Sequence, residues 1–165
     1  MVPFHCIDYV FRIGRYYKIM TKVIVFDIDG TLANAEHRRC YVATKPRNWN
    51  AFNAAIPQDT PYEDIVYLAK LFDQTNHTII LCSGRSEEER IMTVEQMNKF
   101  GVPYNKLYMR PAKDYRDDGI VKTELLQQIR TEFGEPYLWF DDRNRVVDAI
   151  RAEGVRVLQV APGDF

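Results

Sequence analysis

Val23-Ile24-Val25-Phe26-Asp27-Ile28-Asp29-Gly30-Thr31-Leu32 decides the fold. Four apolar residues in succession, three of them β-branched, read as a strand buried on both faces, as in a parallel sheet covered by helices. Two carboxylates at i and i+2 follow at once, and Gly30-Thr31 then turns the chain. In open α/β sheets ligands gather at the carboxyl ends of the strands, so the polar residues that follow each apolar run are the ones to inspect.

Working outward, strands are expected over residues 23–27, 78–82, 106–109, 137–140 and 156–160, all rich in Ile, Val, Leu, Tyr or Trp. Between them lie helical patterns. Residues 62–74 put Ile65, Leu68, Ala69 and Phe72 at helical spacing, and Ser86-Glu87-Glu88-Glu89 reads as a serine cap followed by acids that suit the helix dipole. Helices are also expected over 120–133 and 143–153, closed by Gly134 and Gly154 in left-handed cap positions. This alternation gives an α/β fold, a three-layer sandwich around a mainly parallel, five-stranded Rossmann-like sheet. Residues 33–61 form the least regular stretch, carrying Arg38, Arg39, Lys45, Pro46, Arg47, Trp49 and Phe52, and are expected to fold over the mouth of the site.

The composition sets limits. A chain of 165 residues can bury a core without staples, and residues 20–165 read as one domain. A net charge of −1 argues against holding nucleic acid by bulk electrostatics, though local basic clusters are left open. Cys6, Cys40 and Cys82 are odd in number and lack CxxC spacing, which suggests neither a disulfide framework nor a zinc site and fits a reducing, cytoplasmic setting. No apolar run is long enough to span a membrane. Residues 1–19 are aromatic-rich but interrupted by His5, Asp8, Arg12, Arg15 and Lys18, so they are no export signal. Met20 stands just before the first strand, and the preceding segment is expected to be an over-extended start or an accessory arm.

The chemistry lies at the strand ends. After Asp27 and Asp29 come Ser83-Gly84-Arg85 at the second, and Asp141-Asp142-Arg143 at the fourth, with Lys122 at the start of the helix before that fourth strand. Crowded carboxylates repel, and a divalent cation relieves the repulsion. Hard oxygen ligands of this kind suit magnesium. Taken singly, DxDG reads equally well as a turn and DDR as a helix cap. Their recurrence at successive strand ends favours a site.

Asp27-Ile28-Asp29-Gly30-Thr31, the later Ser83, Lys122 and the pair Asp141-Asp142 resemble, in order, the signature of the haloacid dehalogenase-like superfamily. Within it the chain is similar to the 3′-phosphatase domain of T-even phage polynucleotide kinase. That likeness is carried by Ser83-Gly84-Arg85, Asp117-Asp118 before Val121-Lys122, Phe140-Asp141-Asp142-Arg143, and the ending Gln159-Val160-Ala161-Pro162-Gly163-Asp164-Phe165. The sequence contains no GxxxxGK[ST] phosphate loop, so no kinase activity is expected.

The resemblance implies a magnesium-dependent phosphomonoesterase in which Asp27 attacks phosphorus to form an aspartyl phosphate. Asp29 would protonate the leaving group and then activate water, which asks for a modestly raised pKa in one of the two carboxyls. Magnesium would sit among Asp27, the Asp29 carbonyl, Asp141 and Asp142, with Ser83 and Lys122 on the phosphoryl group. Thr31, Gly84, Arg85 and Arg38 are the expected substrate contacts, with Arg39 the alternative to Arg38. Asp118 resembles an acid near the phage site, although Asp114 and Asp117 compete for that assignment. Cys82 reads as an inert strand thiol; His37 and His77 lack metal-ligand partners; Trp49 and Phe52 suit either a core or base stacking. Superfamily members commonly enclose small substrates under a cap domain, for which residues 33–61 and 110–118 are too short. The resulting open site favours a 3′-phosphorylated polynucleotide in nucleic-acid end repair, DNA or RNA. A nucleotidase acting on free mononucleotides and a non-catalytic binding module are the alternatives.

Overall fold

The computed structural model describes residues 9–12, 15–18 and 20–163. Its central sheet is built from β3 (Val23–Phe26), β6 (Thr78–Ser86), β7 (Lys106–Arg110), β8 (Pro136–Asp141) and β9 (Val157–Gln159) in the spatial order β7-β6-β3-β8-β9. Every pairing in it is parallel. The first strand of the series lies at the centre, so connections leave it in opposite directions and a crevice opens where they part.

Period-2 alternation sorts the core into two layers. Val23 and Val25 join Ile80, Cys82 and Trp139 on one face, beneath α4 (Asp118–Phe133) and α5 (Asn144–Ala152). Ile24 and Phe26 join Ile79, Leu81 and Phe140 on the other, beneath α2 (Glu63–Gln74) and α3 (Arg90–Phe100). Phe26 stacks on Phe140 with ring centroids 4.6 Å apart, which packs β3 against β8 just before both strands reach their acids. The three-layer α/β sandwich expected from the sequence is the observed fold.

Three local expectations change. Ser86 caps a 3-10 turn over Glu87–Glu89, accepting from the Glu88 amide, and α3 starts only at Arg90. Gly134 has positive φ but extended ψ (91°, −172°), so it ends α4 by swinging the chain into β8 instead of adding a left-handed cap. The αL cap belongs to Gly101, which closes α3. β6 also runs on to Ser86, past the apolar stretch ending at Cys82. Its register against β7 slips between Ser83 and Ser86, the mark of a bulge that re-aims the side chains beyond it.

Residues 33–61 form a small excursion rather than a domain. β4 (Ala33–Asn34) pairs with β5 (Thr60–Pro61), and between them lie a 3-10 turn over Glu36–Tyr41, the short helix α1 (Trp49–Ala54) and a 3-10 turn over Ile56–Gln58. Near the amino end, β1 (Tyr9–Arg12) and β2 (Arg15–Lys18) pair as an antiparallel ribbon. The rest of the expected extension, and the closing Asp164-Phe165, lie outside the described residues. Among the described residues no helix is long and apolar enough to cross a membrane.

Cys82 is fully buried in β6, and burial pushes its thiol far above the ordinary range, whereas Cys40 is exposed. Iodoacetamide at pH 8 is therefore expected to alkylate Cys40 in the native protein and to reach Cys82 only after unfolding, as peptide-mapping mass spectrometry would read.

Candidate active site

β3 ends at Phe26, and the ladder extends one residue further because the Asp27 amide donates to the Phe140 carbonyl at 2.9 Å. Asp27 is thereby fixed beside the end of β8, which delivers Asp141 and then Asp142. Beyond Asp27 the chain curls: the amides of Thr31, Leu32 and Ala33 all donate to the Ile28 carbonyl, and Gly30 takes φ +90°. A Cβ at Gly30 would collide with the Asp142 carboxylate. Glycine serves two purposes there, a left-handed backbone and room for a neighbouring acid.

Asp27, Asp141 and Asp142 are all buried, and each offers an oxygen within 4.8 Å of the others. Lys122, itself buried in α4, bridges two of them, donating to Asp27 Oδ1 at 2.5 Å and to Asp141 Oδ2 at 2.8 Å. Burial opposes its charge, but Asp141 and Asp27 outweigh burial and hold the ammonium well above its ordinary pKa. Three carboxylates to one ammonium leave negative charge in surplus. Burial accordingly raises the Asp27 pKa strongly despite Lys122, with Asp141 and Asp142 adding to the rise. Burial and then Asp141 push Asp142 up to about 6. Three carboxylates, two of them with raised proton affinity, close enough to share one ion and hard in donor character, fit a divalent cation such as magnesium.

A second ionic cluster adjoins the first. Asp29 accepts from Arg38 Nη2 at 2.5 Å and from Arg85 Nη2 at 2.6 Å and Nε at 3.0 Å. Behind these guanidinium groups lies Asp59, buried, which accepts from Arg38 Nε and His37 Nε2 at 2.8 Å, and from Arg85 Nη2 and Gln96 Nε2 at 3.2 Å. Burial alone would raise the Asp29 pKa, but Arg85 and Arg38 overcome it and hold this carboxyl well below its usual range. Of the two adjacent carboxyls, one of which was expected to have a modestly raised pKa, Asp27 is the one raised, and strongly, while Asp29 is lowered.

The profile of the polynucleotide kinase PNKP phosphatase domain matches residues 21–165. The chain belongs to this family. It is thus a haloacid dehalogenase-type phosphatase related to the PNKP 3′-phosphatase domain. A chain of the Pnkp1/Rnl/Hen1 complex is 32% identical over 88% of this chain and 48% of that one, with a TM-score of 0.73. A structure described as the Pnkp1/Rnl/Hen1 RNA repair complex gives 30% identity over 100% and 49%, with a TM-score of 0.74. This chain therefore spans about half the length of the Pnkp1/Rnl/Hen1 chains it matches. Apo phosphoserine phosphatase, 16% identical over 86% of each chain with a TM-score of 0.56, shares the fold.

Within this PNKP-type site the remaining expected residues fall as follows. Ser83 is buried, and its hydroxyl accepts from the Arg85 amide at 3.2 Å. Gly84 lies against Asp118, where an added Cβ would come within 2.8 Å of Oδ1. Asp118 in turn takes ion pairs from Arg110 and Arg143. Asp117 instead caps α4 through the Gly119 amide, and Asp114 pairs with exposed Arg116. Thr31 is fully buried in the turn, its hydroxyl without a hydrogen-bond partner. Arg38 and Arg85 are buried rather than on the surface. Arg39 reaches Glu36 at 2.9 Å and Asp142 at 4.0 Å, so Arg38 is the arginine on Asp29. Asp59 and Gln96 escape sequence reasoning: one sits in an irregular stretch and the other reads as an ordinary polar helix position.

Asp59 offsets two buried guanidinium groups, and removing one partner of a buried ionic cluster typically costs about 3–5 kcal/mol. Asp59→Ala is expected to lower unfolding stability by an amount of that order in urea titration.

Proposed function

We propose that this chain is a magnesium-dependent polynucleotide 3′-phosphatase that works through an aspartyl phosphate on Asp27. The observation that carries the reading is the convergence of Asp27, Asp141 and Asp142 within 4.8 Å, with Lys122 bonded to two of them. An anionic nucleophile can meet an anionic phosphate ester only where positive charge offsets both. Asp27, Asp141 and Asp142, with the Asp29 carbonyl, would hold magnesium, which when bound supplies Lewis-acid stabilisation of the phosphoryl oxygens.

The protein groups divide the remaining work. Asp27 attacks phosphorus, the ester P–O bond breaks, and the departing oxygen takes its proton from Asp29. Asp29 begins ionised beneath Arg38 and Arg85, so it must first take up the proton that it later donates, which a phosphate monoester bound as its monoanion carries into the site. A phosphate that shares those guanidinium groups weakens their hold on Asp29 and raises its proton affinity where an acid is needed. In the second step Asp29 removes a proton from the water that hydrolyses the acyl phosphate. Ser83 and Gly84 orient the transferring oxygens while Lys122 offsets their spreading charge. The polynucleotide substrate is supported by the PNKP phosphatase family, by the likeness to a chain of an RNA repair complex, and by an excursion over residues 33–61 too small to enclose a free metabolite.

Purified protein with magnesium is expected to release phosphate from 3′-phosphorylated oligonucleotides in preference to free 3′- or 5′-nucleotides. Exclusive turnover of 5′-mononucleotides would reject the polynucleotide reading. Asp27→Asn is expected to lower kcat by on the order of 10³-fold or more with the fold retained by circular dichroism. The cation competes with protons for Asp142, whose pKa is about 6, so magnesium affinity should weaken as pH falls through 6, by roughly tenfold at pH 5 relative to pH 7. Calorimetric titration with magnesium would detect that loss.

A further inference from the structure

We propose that Trp49 is a stacking platform for a base of the single strand whose terminal phosphate enters the site, with Lys45 and Arg47 meeting that strand's phosphates. The inference rests on the polynucleotide reading and adds the surface that would recognise the polymer.

Trp49 opens α1 behind Asn48, whose side chain accepts from the Ala51 amide at 3.0 Å, and its side chain is 52% exposed. The indole is nevertheless continuous with the chemistry. It meets Phe52 edge-on at 5.6 Å, and Phe52 lies under the Arg38 guanidinium at 4.3 Å. Arg38 in turn grips Asp29 at 2.5 Å. A ring two contacts removed from an arginine on Asp29 stands where a nucleoside near the scissile phosphate would pass. Beside it the surface is shallow and open, formed by Lys45, Pro46 and Arg47 and continuing along residues 46–50, so a base can reach the ring from solvent.

The charge points to the same occupant. In a chain of net charge −1, residues 37–58 hold no Asp or Glu; Arg38 lies in the buried cluster and Arg39 pairs with Glu36, while Lys45 and Arg47 stand exposed near Trp49. Arg47 sits 5.9 Å from the centroid of the Trp49 ring, near the limit of cation–π contact, which leaves room for a base to take the ring face and the guanidinium to turn toward a phosphate. An exposed aromatic ring flanked by cations is the arrangement that binds single strands with little sequence preference.

Trp49 and Trp139 are the two tryptophans of the chain, and Trp139 is fully buried, so quenching of intrinsic fluorescence by a stacked base reports Trp49. A single-stranded ten-nucleotide oligomer without a 3′-phosphate is expected to quench the wild-type protein and to leave Trp49→Phe unquenched. With the 3′-phosphorylated oligomer, Trp49→Ala should raise KM about tenfold, equivalent to about 1.4 kcal/mol, and Trp49→Phe should recover most of that loss. Lys45→Ala with Arg47→Ala should flatten the salt dependence of KM. No quenching, or an unchanged KM in Trp49→Ala, overturns the proposal and leaves this face to a protein partner. If the wild type hydrolyses only free nucleotides, the 3′-phosphatase reading fails by itself, while quenching by the unphosphorylated oligomer still decides the platform.

Discussion

Three carboxylates forced into the dry end of a parallel sheet with a single ammonium among them form the constraint on which the rest of the molecule depends. Burying charge is costly, and with Lys122 bonded to two of the three acids the proton affinities of Asp27 and Asp142 are still raised. The sheet order makes their meeting unavoidable, because β3 and β8 are hydrogen-bonded neighbours and both run out at the same edge. Gly30 is part of the same constraint, for only a residue without a side chain lets the Asp142 carboxylate close the group. The protein thus stores an electrostatic deficit at one point, and a divalent cation or the positive groups around a phosphate can relieve it.

Asp29 stands across the turn in an opposite environment. Two guanidinium groups and a supporting carboxylate surround it, so positive charge is abundant where Asp27 lacks it. The sequence spaces these acids two residues apart, yet the fold pushes their proton affinities in opposite directions. Separation of that kind lets two chemically identical groups take different parts in one reaction. The bulge in β6 contributes by turning Arg85 inward beyond the point where the apolar run stops.

The parts of this arrangement legible in the sequence are those fixed by local pattern. Continuous apolar runs, β-branched in β3 and β6 and aromatic in β8, gave away these strands, and the acids after β3 and β8 needed only the rule that parallel strands present their ends to ligand. Arg38 and Arg85 were visible as candidates, but their burial was not, because it depends on Asp59. That acid comes from an excursion without periodicity, and only tertiary pairing brings it beneath both arginines. Gln96 is similar: in helical projection it is an unremarkable polar residue, and its contacts to Asp59 and the Ile56 carbonyl exist because α3 packs against the turn over Ile56–Gln58. Gly134 and Gly101 show the limit of cap rules, since both end helices but only the geometry of the following chain decides which adopts the αL conformation.

The excursion over residues 33–61 faces two ways, and its inner side governs its outer one. Inward it contributes Arg38 and Asp59 to the buried cluster, and Gln96 fastens it to α3. Hinged closure over a substrate would break a network whose members are buried ions, at a cost of several kcal/mol. A small substrate sealed beneath a closing lid is therefore hard to reconcile with this anchoring. On the proposed reading, selectivity comes instead from what the excursion presents while it stays in place: the half-exposed Trp49, the basic residues around it, and a path along Phe52 and Arg38 to Asp29. On that same reading, an open rim of that composition would recognise a polymer by its backbone charge and the faces of its bases, and leave the chemistry to the acids below.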